Sequence, residues 1–125
     1  EYSTVYHNIL TSTRDYSAVT GACLMIKKEI FNKVGNFDNS FDVYYGDADL
    51  CLQVVKMGYR VIYTPFTKLL HQGSFTITKS NSSHFDIENH VKFIKKWPYL
   101  KNGDPFYNTN LDWDYSISET PFKIT

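Results

Sequence analysis

Tyr44-Tyr45-Gly46-Asp47-Ala48-Asp49-Leu50-Cys51-Leu52 is the stretch on which the reading of this chain turns. Leu50, Cys51, Val54 and Met57 recur at helical spacing and Gly58 follows as a stop, which predicts a helix from Asp47 to about Met57. Leu52 and Val55 add apolar surface on its other sides, so the helix is expected to be largely buried. The two carboxylates at its start are two positions apart, roughly 200° around a helix, so only one is expected to face a site directly. The free amides and dipole at a helix start favour a negative charge there. His71 follows 24 positions after Asp47, at the expected end of a later strand. Brought together, an acid and an imidazole can take a proton from an acceptor and hold a metal on a leaving group. Each also has an ordinary reading: Asp-x-Asp is a routine helix start, and a histidine at a strand end often bonds a backbone carbonyl.

Outward toward the N-terminus, Ser17 to Ile26 is short, apolar and β-prone and reads as a buried strand. Lys28 to Val34 predicts a short helix with Ile30, Phe31 and Val34 on one side and Gly35 as its stop. Residues 1 to 16 have no clear period and are left as a loop or short edge strand. Toward the C-terminus, Tyr59 to Thr64 reads as a strand closed by Pro65, and Thr67 to His71 as a second short strand. Residues 72 to 83 are rich in Gly, Ser, Thr and Asn, a loop composition. Ser83 then caps a helix, with Asp86 in the capping-box position and Ile87, Val91 and Ile94 as its inward stripe, until Trp97-Pro98 ends it. Turn signals dominate residues 98 to 125, a tail expected to wrap over the surface, pinned by Phe106, Tyr107, Leu111 and Trp113. The order of elements is mixed α/β, with too few strands for a doubly wound sheet and no glycine-rich phosphate loop. It reads as half of an α/β domain.

The 125 residues fit one domain, in which folding buries roughly two thirds of the unfolded surface. Thirteen basic and thirteen acidic side chains balance, which gives little support for a nucleic-acid groove or an anionic membrane surface. Cys23 and Cys51 both sit in apolar runs and read as buried hydrophobes in a reducing compartment. No stretch approaches the roughly 20 apolar residues of a membrane span, and no signal-peptide pattern opens the chain. Ten tyrosines within an aromatic content of 17% suit sugar faces and protein interfaces alike. His7, His84 and His90 lack partners at metal-ligand spacing and are discounted. The chain opens on Glu1 without a methionine and is expected to be a piece of something longer.

Five blocks in order then resemble one family: Val19-Thr20-Gly21-Ala22-Cys23-Leu24-Met25-Ile26, Val34-Gly35-Asn36-Phe37-Asp38, the acidic stretch from Tyr44 to Leu52, Gly58-Tyr59-Arg60-Val61, and His71-Gln72-Gly73-Ser74. Together they resemble the acceptor-side half of glycosyltransferase family 2, the inverting nucleotide-sugar transferases of GT-A fold. Lys96-Trp97 and the run from Asp104 to Leu111 resemble the tail of many bacterial members, so the match covers about residues 17 to 111. The resemblance implies an incomplete nucleotide-diphospho-sugar transferase (GT-A) fold, its C-terminal half only, with residues 1 to 125 as a single fragment.

The resemblance also implies roles. Asp47 is expected as the catalytic base and His71 as a metal ligand for Mg²⁺ or Mn²⁺ in the complete enzyme. Gly21, Asp49, Tyr45 and Ser74 are expected to bind substrate, Asp49 by orienting Asp47 or capping the helix. The loop from 72 to 83 is expected as a flap over the donor. Partners would be a nucleotide-sugar donor and a saccharide or lipid-linked acceptor, with self-association through an exposed sheet edge. Family habit implies cytoplasmic placement, peripheral at the inner membrane face. Gly46 stands where the family usually has an acidic residue, and residues 1 to 18 cannot supply the nucleotide-binding half, so the fragment alone is expected to be inactive. The rival expectation is a non-catalytic carbohydrate-binding or protein-interaction module. An unrelated metal hydrolase would need more ligands than the sequence places.

Overall fold

Residues 11–41, 44–70 and 87–107 are described by the structure, a computed structural model. Their elements run β1 (Arg14–Asp15), a 3₁₀ turn (Gly21–Cys23), α1 (Lys28–Lys33), α2 (Gly46–Lys56), β2 (Ile62–Tyr63), α3 (Ile87–Lys96) and a second 3₁₀ turn (Pro98–Asn102). This is a mixed arrangement of helices with a small sheet, compatible with an α/β class. β1 and β2 pair antiparallel, Arg14 opposite Tyr63 and Asp15 opposite Ile62. The amide of Tyr16 extends the pairing to the Val61 carbonyl at 3.0 Å. Arg60 clamps it from outside with a two-pronged ion pair to Asp15 at 2.8 and 2.9 Å.

α2 is the centre around which the rest packs. Tyr45, Ala48 and Leu52 lie on one side of it and join Phe41, Phe93, Trp97, Ile94 and Leu100 in one apolar cluster. Cys51 and Val54 lie on the other and join Val61, Ala18, Val19, Leu24, Ile26, Ile30 and Val34 in a second. Leu50 and Leu52 are 1% and 2% exposed, and burying each contributes roughly 1.5–3 kcal/mol. The helix ends as its sequence predicts. Gly58 carries φ +84° just past its last turn, a left-handed conformation that an L side chain would strain. α1 ends the same way, with Gly35 at φ +94°.

Four expectations need correction. Ser17 to Ile26 is not a strand: Thr20 accepts the Ala22 amide on its Oγ1 at 3.3 Å and turns the chain into the 3₁₀ turn. Ala18, Val19, Leu24 and Ile26 do face the core, which is what the apolar pattern registered, but Met25 is 99% exposed. Cys23 is exposed, and only Cys51 is buried. Residues 67 to 70 form no strand, and Leu69 and Leu70 point into solvent. In α3 the inward positions are Asn89, Phe93 and Trp97; Ile87 and Val91 are exposed, and only Ile94 of the expected stripe reaches the core. The Trp97 N–H, which donates to Asp49, and the Asn89 Oδ1, which accepts from Lys92, fit that choice, since buried polar groups take hydrogen bonds. Ser83 and Asp86, the expected capping pair, lie outside the described residues, as do Leu111 and Trp113. The described part of the tail is fastened at Asp104, which accepts the Ser17 hydroxyl at 2.6 Å.

Candidate active site

Tyr45, Asp47 and Asp49 alternate through the first turn of α2, and the alternation decides what each does. The residue before the helix, Tyr45, sits in the left-handed region at φ 70° and ψ −7°. For a bulky side chain this costs roughly 1–3 kcal/mol and persists only where surrounding contacts hold it. Here its ring stacks on Phe93 at 4.8 Å with 27° between planes, and its hydroxyl shares a 3.0 Å hydrogen bond with His90 Nδ1. The reversal at Tyr45 lets the Asp49 amide close the first helical bond, to the Tyr45 carbonyl at 2.8 Å.

Asp47 is the second residue of α2, not its cap, and is half-buried. Its Oδ1 accepts the Ala48 amide at 2.8 Å, satisfying a helix-start donor that has no partner inside the helix. Its Oδ2 reaches out of the helix to the Gly21 amide at 2.7 Å. A Cβ on Gly21 would stand 3.2 Å from the Asp47 Cβ, so the approach depends on the bare Cα. The structure thus brings together two of the expected site residues, Gly21 and Asp47, from segments 26 positions apart. An ionised carboxylate offers about four acceptor positions. With two taken by amides, Asp47 can still accept a proton donor from solvent.

Asp49 faces the opposite way. It is 0% exposed, and its carboxylate takes Trp97 Nε1 at 2.8 Å on Oδ1, Gln53 Nε2 at 2.7 Å on Oδ2, and the Lys96 ammonium at 2.8 and 3.0 Å. Lys96 is shared with Asp38 at 2.7 Å. Burial alone would lower the Lys96 ammonium; its bonds to Asp38 and Asp49 outweigh that and raise it. The same ammonium, helped by the Ser40 amide, holds the Asp38 carboxyl well below the usual range. Asp49 therefore spends both oxygens on Gln53, Lys96 and Trp97 and makes no hydrogen bond to Asp47; it fastens α2 to α3. Tyr45, also expected to bind substrate, likewise turns its ring and hydroxyl toward α3.

His71, Ser74 and the flap-like loop from 72 to 83 lie outside the described residues. Among the described residues, no group of three or more His, Cys, Asp or Glu could hold a metal ion, and no helix is long and apolar enough to cross a membrane. Sequence reasoning passed over His90 as lacking a ligand partner, and it did not see the grip of Lys96 and Trp97 on Asp49. The spacing of Asn89, Phe93 and Trp97, four apart twice, was the available signal for the true inward face of α3.

No protein-family model and no solved structure matches the chain. Three curated relatives do. An uncharacterized protein of Sinorhizobium fredii, y4gI, is 39% identical over 107 residues, covering 78% of this chain and 11% of the relative. The O-antigen biosynthesis protein RfbC of Myxococcus xanthus is 33% identical over 99 residues, 79% of this chain and 8% of the relative. The N-acetylglucosaminyl-diphospho-decaprenol L-rhamnosyltransferase of Mycobacterium tuberculosis is 28% identical over 83 residues, 66% of this chain and 27% of the relative. The chain therefore spans about a tenth of the first two and about a quarter of the third, and over that span it is related, at modest identity, to proteins named for O-antigen biosynthesis and for rhamnosyl transfer, which supports a glycosyltransferase relationship.

Proposed function

We propose that this chain is the acceptor-side, C-terminal part of an inverting family 2 glycosyltransferase of GT-A fold, moving a sugar from a nucleotide diphosphate to a saccharide or lipid-linked acceptor. The observation that carries the reading is Asp47: a half-buried carboxylate fixed by the Ala48 and Gly21 amides, with acceptor capacity to spare. The relatives' names in O-antigen assembly and rhamnosyl transfer support the class.

In this mechanism the acceptor hydroxyl donates a hydrogen bond to Asp47 and attacks the anomeric carbon from the face opposite the diphosphate. The new carbon–oxygen bond forms as the bond to the diphosphate oxygen breaks. The nucleoside diphosphate leaves with the electron pair, the hydroxyl proton passes to Asp47, and the configuration inverts. Such a base contributes about 10²- to 10⁴-fold. The two amide bonds hold the carboxylate in place so that little reorganisation accompanies the attack. A divalent cation, Mg²⁺ or Mn²⁺, supplies charge neutralisation of a diphosphate when bound. The described residues do not assemble a site for one, so none of these steps uses it, and His71 as its ligand belongs to the proposal alone.

The test is transfer by the full-length protein with and without Mn²⁺, wild type against Asp47→Asn. Loss of turnover in the variant, with donor binding retained, supports Asp47 as the base. Equal turnover in both removes it. A second reading, a carbohydrate-binding or protein-interaction module, is favoured by both Asp47 oxygens already serving backbone amides, as in a plain structural cap. No turnover by wild type across a panel of nucleotide sugars would favour that module.

A further inference from the structure

The first turn of α2 has no side-chain cap at Tyr45, and beyond the Asp47 bonds to Ala48 and Gly21 it is held from outside the helix. Two further grips come from α3 and the residue after it. His90 holds the Tyr45 hydroxyl at 3.0 Å and Phe93 stacks on the Tyr45 ring. One residue past Asp47 and then another, Asp49 is held by Trp97 and Lys96 at 2.8 Å each. Asp47 lies between these two grips, on the face turned away from α3 by roughly half a turn. Rocking of α2 that loosened either grip would swing the Asp47 carboxylate along the Gly21 backbone. Apolar packing at Leu52 and Ala48 resists separation but is non-directional, whereas hydrogen bonds fall off steeply with angle. The Gly21 amide holds the Asp47 carboxylate directly, and the directional restraint on the turn that carries it is added by α3 and Trp97.

We propose that His90, Lys96 and Trp97 are positioning residues for Asp47, acting through Tyr45 and Asp49. The role in turnover rests on the reading of Asp47 as the base; the positioning itself does not.

The Gly21 amide gives a readout that merely structural damage would not move, because it donates directly to Asp47 Oδ2 at 2.7 Å. In ¹⁵N-glycine-labelled full-length protein its resonance is identified by its loss in Gly21→Ala, and Thr20-Gly21 is the one Thr-Gly pair in this sequence, open to selective threonine carbonyl labelling. Trp97→Phe removes the indole N–H that meets Asp49 together with part of the ring system, and Tyr45→Phe removes the hydroxyl that meets His90 and keeps the ring. Asp15→Asn, which weakens the β1–β2 clamp away from Asp47, is the control. We expect the Gly21 amide to move toward its position in Asp47→Asn in both of these variants and to stay put in the control, with kcat falling more than KM changes. A wild-type Gly21 resonance in folded Trp97→Phe and Tyr45→Phe overturns the proposal. If Asp47→Asn retains full turnover while the Gly21 amide still responds, the base assignment fails and the positioning stands.

Discussion

Gly21 and Asp47 meet backbone to carboxylate, amide to Oδ2 at 2.7 Å, with room for a hydrogen on the Gly21 Cα and not for a methyl in comfort. The contact joins a 3₁₀ turn to the start of a helix, and each holds the other in place. Gly21→Ala puts a Cβ 3.2 Å from the Asp47 Cβ. That atom lies close to the backbone and cannot swing aside, so we expect a loss of about 1 kcal/mol from overpacking and reduced transfer. Gly21→Leu should abolish transfer in the full-length protein; normal turnover in that variant would remove Gly21 from the site.

Asp49 offers the sharpest stability test. Its carboxylate is fully buried against one cation and two neutral donors. Asp49→Ala strands the Lys96 ammonium and the Trp97 indole N–H, and breaking a buried pair from one side costs about 3–5 kcal/mol. Urea melts of the two proteins should separate by that amount. Asp49→Asn keeps the volume and one acceptor and should lose less.

The Lys96 triangle also sets a pH dependence at both ends. The Asp38 carboxyl is depressed when folded, so its contribution is complete above its ordinary value of 3.8 and is lost as pH falls through the folded value. The Lys96 ammonium is raised when folded, so its contribution is complete below its ordinary value of 10.5 and is lost as pH climbs through the folded value. Thermal melts against pH should show both losses. Lys96→Met should flatten the alkaline limb and shrink the acid one; unchanged limbs would mean that other groups dominate.

The two thiols should react at very different rates. Cys23 is exposed, whereas Cys51 is buried, and burial, reinforced by the charge of Asp47 one turn away, pushes the Cys51 thiol up. The thiolate is the reactive form. A maleimide should label Cys23 in the folded protein and Cys51 only once denaturant opens the core. Mass mapping that finds Cys51 labelled first would contradict the packing of α2.

What the sequence made legible follows from where local chemistry decides. α1 and α2 carry their own stops, Gly35 and Gly58, and α2 carries its own apolar faces, so both were readable to within a residue or two. The 180° logic separating Asp47 from Asp49 was readable as well, though not which of them would be buried. The misreadings share a cause. Ser17 to Ile26 has a strand's composition, but pairing belongs to two chains, and the partner of β2 proved to be Arg14–Asp15. In α3 the apolar count favoured Ile87 and Val91, while buried positions went to Asn89 and, just past the helix, to Trp97, whose indole N–H answers Asp49 on α2. The pairing of Tyr45 with His90 was missed for the same reason: a hydrogen bond across 45 positions leaves no local trace.

The bond from Trp97 to Asp49 spans 48 positions, and that from Lys96 spans 47. During synthesis at roughly 5–20 residues per second, the α2 segment emerges about 2 to 9 s before either donor exists. Until then a carboxylate destined for the interior has only the neutral Gln53 amide for a partner and no cation, and burying an uncompensated charge is costly. The helix that carries Asp47 must wait in water for its second half of the core. The grip of Lys96 and Trp97 on Asp49 thus closes only after α3 has been made, and a chain cut before Trp97 lacks the indole donor altogether.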